Sequence, residues 1–397
     1  MVYVVWSLLG FLSFIKKNNK FVTFLVALFI LCIFCFNTDN PDLENYIAAY
    51  YRGYGVLMSE PLFNKLIAFS KDYISFEWFR FFVVLVGLAL MIDTIYKYSP
   101  YPTFVLFLYT IYPMTIDVVQ FRFFIGYSIA LFAVRYLIDY QNNKKLKSIV
   151  LYFLLILLAT GFHYGCILYS VLGILFFDFN KHKLLFFVIF PLIGIITISM
   201  IEKFAPYISL VIGAEKTQDW IRNLNTASGL ANVKYIIRCT MLLLFSGLIS
   251  YVNRNRQFDA AFVKKIPSGI GIFLKQLPIV FANGYNKYYD LGVNKVLFYC
   301  VYYLSFCFLL EIKFASEYER LSRLSLILGA ILISRQLFYL TNINRRIAFL
   351  FFLLLFVLYF IIRNYFAAAP VIGQDVLFID YVFRRVMENN ELFSIVF

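Results

Sequence analysis

Charge and histidine are scarce in this chain. Only 15% of its 397 residues are charged and two are histidine, against 62% hydrophobic and 21% aromatic. A domain dissolved in water needs more polar surface than that, so water is excluded as the main solvent. Low-complexity linkers and internal repeats are missing too, and 1–397 reads as a single integral membrane domain. There is no glycine-rich phosphate loop, no HExxH and no serine-hydrolase elbow, which leaves nucleotide-driven transport unsupported and points to chemistry without metal or cofactor. The six cysteines, Cys32, Cys35, Cys166, Cys239, Cys300 and Cys307, all fall in apolar segments and imply no disulfide framework. Cys32 and Cys35 form a CxxC with no second pair, too few partners for zinc or redox work.

What is present is apolar and long. The runs 21–36, 184–200 and 347–362 contain no charge, and backbone groups in lipid must be satisfied inside helices or closed barrels. Strict alternation is missing, so helices are expected. The fold class is all-α, a polytopic transmembrane bundle of about twelve helices. The net charge of +14 comes from Lys and Arg gathered in short connectors, as the positive-inside rule and anionic lipid headgroups explain without a nucleic-acid partner. The apolar stretch 1–14 precedes Lys16, Lys17 and Lys20; that order is wrong for a cleavable signal and suits a first helix with its amino end outside.

The lysine cluster then orients the rest. Helix 21–36 emerges outside into a polar segment, 37–78; helix 79–96 returns, helix 103–118 exits, and Arg122 opens a fifth helix at the outer face. Lys144, Lys145 and Lys147 mark the cytoplasm again. The next 30 residues, 148–177, read as a hairpin of two short helices with His163 at the outer turn between Gly161 and Gly165. Further outer loops are expected at about 201–234 and 313–323, and a basic cytoplasmic connector at about 253–295. The segment after Arg363, with Arg385, is expected outside.

Candidate chemistry follows the costly polar groups. Segment 37–63 mixes the acids Asp39, Asp42, Glu44 and Glu60 with Tyr46 and Tyr50; rings stack on sugar C–H faces and carboxylates accept from hydroxyls, although an aromatic belt with solvated charges has the same composition. Arg122 is either a snorkelling side chain or a planar fork for a pyrophosphate. Arg320 and Arg323, three apart on one helical face, form a second clamp or are neutralised by Glu317 and Glu319. His163 is a general base, a phosphate ligand or a hydrogen-bonded core histidine. Trp220 and Arg222 are weaker glycan-binding candidates in the loop 201–234.

Taken together, Asn37-Thr38-Asp39, Asp42, Tyr46, Glu60-Pro61-Leu62, Arg122, Phe162-His163 and Arg320 resemble the EpsG family of exopolysaccharide polymerases, related in role to Wzy-type O-antigen and capsule polymerases. The resemblance implies a GT-C-like integral membrane glycosyltransferase of a bacterial inner membrane. Its substrate would be an undecaprenyl-pyrophosphate-linked oligosaccharide, with membrane lipid, a chain-length regulator and a flippase as partners. His163, Asp42 and Glu60 are then the expected catalytic positions, and Arg122, Arg320 and Arg323 the pyrophosphate ligands. Asp39, Glu44, Tyr46, Tyr50, Trp220 and Arg222 are expected to bind glycan. A flippase, a ligase and a membrane acyltransferase are the rival functions.

Overall fold

The computed structural model describes residues 1–52, 60–177, 209, 291–306, 315–339 and 385–391. They are helical almost throughout, with no strand among them. The chain divides into two compact units, one comprising Met1–Ala133, Leu154–Ile167 and Thr341–Phe397, the other Val134–Phe153 and Leu168–Leu340.

In the first unit, α1 (Val2–Ile15), α2 (Lys20–Cys35), α5 (Phe76–Tyr98) and α6 (Pro102–Ile111) pack on one another. Asn19 starts α2 by accepting from the Val22 N–H at 3.1 Å, a side-chain cap for an otherwise unsatisfied donor. The Thr23 and Thr103 hydroxyls meet at 2.6 Å, and the Trp6 indole donates to Thr110 at 2.8 Å, so these polar groups find local partners. Gly10 lets α1 approach α6: a Cβ there would lie 2.4 Å from Phe107 Cζ.

The outward faces of these helices are apolar. Val4, Leu8, Phe11 and Ile15 are exposed along α1, and Phe21, Phe24 and Leu28 along α2. Their three- and four-residue spacing makes continuous stripes, and stripes of that size belong in lipid. Two described helices are long and apolar enough to span a bilayer, Phe76–Tyr98 and α8 (Phe121–Asn143), each of 23 residues. At 1.5 Å per residue such a helix rises about 35 Å, against a hydrocarbon core of about 30 Å.

Four expectations change in detail. The run 103–118 is not one helix: α6 stops at Ile111, and a short α7 (Met114–Val119) follows Pro113. Pro113 has no N–H to give and disfavours helix in the residue before it. The polar segment 37–78 contains α3 (Leu43–Arg52) and α4 (Pro61–Ser70), the second with proline at the first helical position, where no N–H is needed. The stretch 313–323 is helical from Ala315 onward. Residues 148–177 form α9 (Leu146–Phe162) and a 3-10 segment (Tyr164–Phe176) with His163 at the break.

Residues 385–391 strap the carboxyl end of α2. Asn390 donates to the Cys32 carbonyl at 3.1 Å and the Glu391 N–H to that of Phe36 at 3.0 Å, satisfying carbonyls a helix end leaves open. Asp39 receives the Arg385 guanidinium at two oxygens and the Asn389 amide at 2.8 Å. Asp39→Ala is expected to loosen this strap. Limited proteolysis should cut the C-terminal stretch several-fold faster, while the melting temperature moves by the equivalent of at most about 1 kcal/mol, the ceiling for a partly exposed pair.

In the second unit, Tyr152 donates to the Tyr169 carbonyl at 2.6 Å and Gly173 abuts Phe153, so the two arms of the hairpin run antiparallel. There α10 (Leu291–Phe306) packs on α11 (Ala315–Tyr339), and the Arg335 Nε donates to Asn294 at 2.5 Å.

Candidate functional site

The first residue of the site is Glu60. It stands at the amino end of α4, where its carboxylate has no solvent exposure. A buried carboxylate needs a cation, and Arg122, the second residue of α8, supplies it through an ion pair between its Nη1 and Glu60 Oε2. His163 adds a third group, its Nε2 lying 3.7 Å from Glu60 Oε1 and its side chain 3% exposed.

Packing explains why these three meet. Phe121, next to Arg122, is buried among Tyr46 at 4.5 Å, Phe63 at 5.8 Å and Phe76 at 6.2 Å between ring centroids. Those rings come from α3, α4 and α5, so one aromatic cluster fixes three helix ends around the start of α8. The Arg122 guanidinium lies over the Tyr46 ring at 5.7 Å, a cation–π contact. Gly161 and Gly126 bring in His163. A Cβ on Gly161 would lie 2.4 Å from Leu62 Cδ1, and one on Gly126 would lie 2.7 Å from Cys166 Sγ. Gly161→Ala is therefore expected to push α9 from α4, costing about 1–3 kcal/mol as overpacking does; adding Leu62→Ala should restore the stability, read by melting.

The imidazole has a defined tautomer. His163 Nδ1 accepts from the Gly165 N–H at 3.1 Å, so in the neutral ring the proton sits on Nε2 and faces Glu60. The ring packs edge-on to Phe123 at 5.0 Å and stacks on Tyr164 at 4.8 Å. Of the three side chains, Arg122 keeps 17% exposure while Glu60 and His163 keep 0% and 3%. Within the guanidinium, Nε and Nη1 are buried, Nη1 against Glu60.

The other expected residues are distributed. Asp42 lies half-buried at the start of α3, its carbonyl accepting from the Tyr46 N–H at 3.0 Å. Glu44 is exposed in the first turn of α3, where a carboxylate suits the helix dipole. Tyr50, expected to stack on sugar, is fully buried between Phe76 and Phe79 and donates to the Ile74 carbonyl at 2.8 Å, so its ring is part of the core. Asp39 is committed to the C-terminal strap. Arg320 and Arg323 stand in the first half of α11, in the second unit, with Arg323 1% exposed. Trp220 and Arg222, with the loop 201–234 and the connector 253–295, lie outside the described residues. Among the described residues no group of three or more His, Cys, Asp or Glu is placed to hold a metal ion.

One cluster escaped the sequence reading. Asp117 in α7 is fully buried and accepts from the hydroxyls of Tyr109, at 2.9 Å, and Tyr127, at 2.5 Å. It joins α6 to α8 five residues before Arg122. The signal was available: Asp117 is the sole acid in the run 103–134.

The site is thus an arginine at a helix start, ion-paired to a buried glutamate beside a histidine, in an apolar helical protein. The chain belongs to the EpsG family, whose model matches residues 20–383. Membership makes it a membrane-associated protein of polysaccharide biosynthesis, of the polymerase type. No curated protein and no solved structure matches the chain.

Proposed function

We propose that the protein polymerises undecaprenyl-pyrophosphate-linked repeat units at the outer face of a bacterial inner membrane, within a GT-C-like bundle of about twelve helices. The observation that carries this is Arg122, a cation at the start of α8 held by a buried carboxylate, with part of its side chain exposed. An acceptor hydroxyl oxygen attacks the anomeric carbon of the growing chain, and the bond to the lipid pyrophosphate breaks with inversion. The departing pyrophosphate takes the electron pair, and the guanidinium fork stabilises that charge. No metal or cofactor is required, because the donor is already activated.

Geometry divides the roles. Glu60 is engaged by Arg122, and His163 turns its Nε2–H toward Glu60; both act as positioning residues for the guanidinium. Asp42 lies one turn before Tyr46 on α3 and so shares its face. It is the half-exposed acid best placed to take the acceptor's proton. Arg320 and Arg323 remain candidates for a second phosphate contact.

Sidedness follows from the positive-inside count applied to the two ends of the first unit. Tyr3, Asn37, Asp39, Arg80 and the 385–391 strap gather at one end of the first unit, Tyr3 donating to Glu388 at 3.2 Å. Lys17, over the Tyr101 ring at 5.3 Å, and the Asn19–Thr103 contact belong to the opposite helix ends. The positive-inside count puts the first group outside and the second in the cytoplasm. The aromatic cluster around Phe121 includes Phe76, the first residue of α5, and so ties Arg122 to the outer end.

Reconstitution with purified lipid-linked repeat unit tests the reading. A ladder of lengthening products is expected. Relocation of the unit without new bonds would identify a flippase, and no reaction until a second acceptor is added would identify a ligase or acyltransferase.

A further inference from the structure

A cavity of about 410 Å³ opens beside α3. Leu43 and Ile47 of that helix line it, while the neighbouring Tyr46 lies against Phe121 and under the Arg122 guanidinium. Phe76 belongs to both, lining the cavity and packing on Phe121. Arg122 is not one of the residues that line the cavity.

The lining selects the ligand. Arg80 forms the floor, 6% exposed, with its Nη1 given to the Asn37 carbonyl at 3.0 Å and its Nη2 to that of Cys35. Its fork is spent on the end of α2 and is not offered to a phosphate. At the rim stand the exposed carboxylates Glu77 and Glu391, with the exposed rings of Trp78 and Phe36. A phosphate would meet two like charges there. A hydrocarbon chain would strip water from both carboxylates and return no hydrogen bond. The group that satisfies rings and carboxylates together has apolar C–H faces and hydroxyl donors, which is an uncharged sugar. A headgroup-level aromatic girdle explains exposed Trp78 alone, but it does not explain two carboxylates over a cavity of ligand size.

We infer that this cavity binds uncharged sugar residues of the glycan, without touching its pyrophosphate. The inference rests on the glycan reading of the protein but assigns the sugars to Trp78, Phe36, Glu77 and Glu391, outside the residues proposed for the transfer step.

The test uses the full chain in nanodiscs and the repeat oligosaccharide of the host's surface glycan, freed of lipid and pyrophosphate, with binding followed by saturation-transfer NMR. Saturable binding is expected. It should weaken at least tenfold in Trp78→Ala and in the pair Glu77→Gln, Glu391→Gln, with melting unchanged because these side chains are exposed, and it should persist in Arg122→Ala. Absence of binding to the wild-type chain, or equal binding in all variants, overturns the inference. So does competition by undecaprenyl monophosphate with the same Trp78 dependence, which would make the cavity a lipid site. Polymerisation is not needed for the readout. Trp78-dependent binding without a product ladder sinks the polymerase reading alone, and a ladder with Trp78-independent binding sinks the cavity alone.

Discussion

Arg122→Ala is expected to slow chain extension by about 10²–10³-fold, the loss seen when a preorganised donor to a developing negative charge is removed. Host cells carrying it should display single repeat units and no long polymer, because delivery of the unit to the outer face does not depend on this side chain. Arg122→Lys is expected to recover little. An ammonium is a point charge and cannot both pair with Glu60 and present a planar fork to a pyrophosphate. Gel analysis of surface glycan, with protein levels matched by immunoblot, reads the result. Wild-type chain length in Arg122→Ala would remove Arg122 from the mechanism.

Glu60→Ala has the larger effect on folding. It leaves a guanidinium that is 17% exposed without its buried counter-charge, and breaking such a pair by deleting one partner costs about 3–5 kcal/mol. Glu60→Gln keeps the volume and one acceptor oxygen. It should fold better than Glu60→Ala yet extend chains almost as poorly as Arg122→Ala, because an amide does not fix the guanidinium as a carboxylate does. Melting in detergent separates the two variants, and product length shows whether they share the catalytic defect. Glu60→Gln with normal activity would mean that Arg122 needs no orienting carboxylate.

Much of this was legible in the residues, for definite reasons. Long apolar runs announced α1, α2 and α5 to within a few positions, because in lipid the helix is the cheapest way to satisfy a backbone. The hairpin around His163 was visible as an apolar run too long for one span, punctuated by glycines. Glu60 stood out in a polar segment of acids and tyrosines, Arg122 at the start of an apolar helix and His163 within an apolar run, and the structure brings those three together.

What was hidden depended on packing. Tyr50 looks like a sugar platform in a polar, aromatic-rich segment, but the amphipathic α3 turns its ring inward onto Phe76 and Phe79. Asp39 reads as one of several outer acids until the strap at Arg385, 346 residues away, is in place. Asp117 was passed over because the run 103–118 looks like a plain span; Pro113 breaks it, and the carboxylate then unites α6, α7 and α8 through two tyrosines. Long-range partners of this kind have no local signature, and the strap and the Asp117 cluster are both made of them.

The central claim is that Glu60 and Arg122 act as one device that grips a pyrophosphate. Its most direct test is the affinity of undecaprenyl pyrophosphate, against the monophosphate, for the nanodisc-embedded chain, its Arg122→Gln and Glu60→Gln variants and the double variant. Preference for the pyrophosphate is expected in the wild type. Each single change should lose at least tenfold, and the double no more than the worse single, as groups acting together are non-additive. Undiminished pyrophosphate binding in both single variants would contradict the claim.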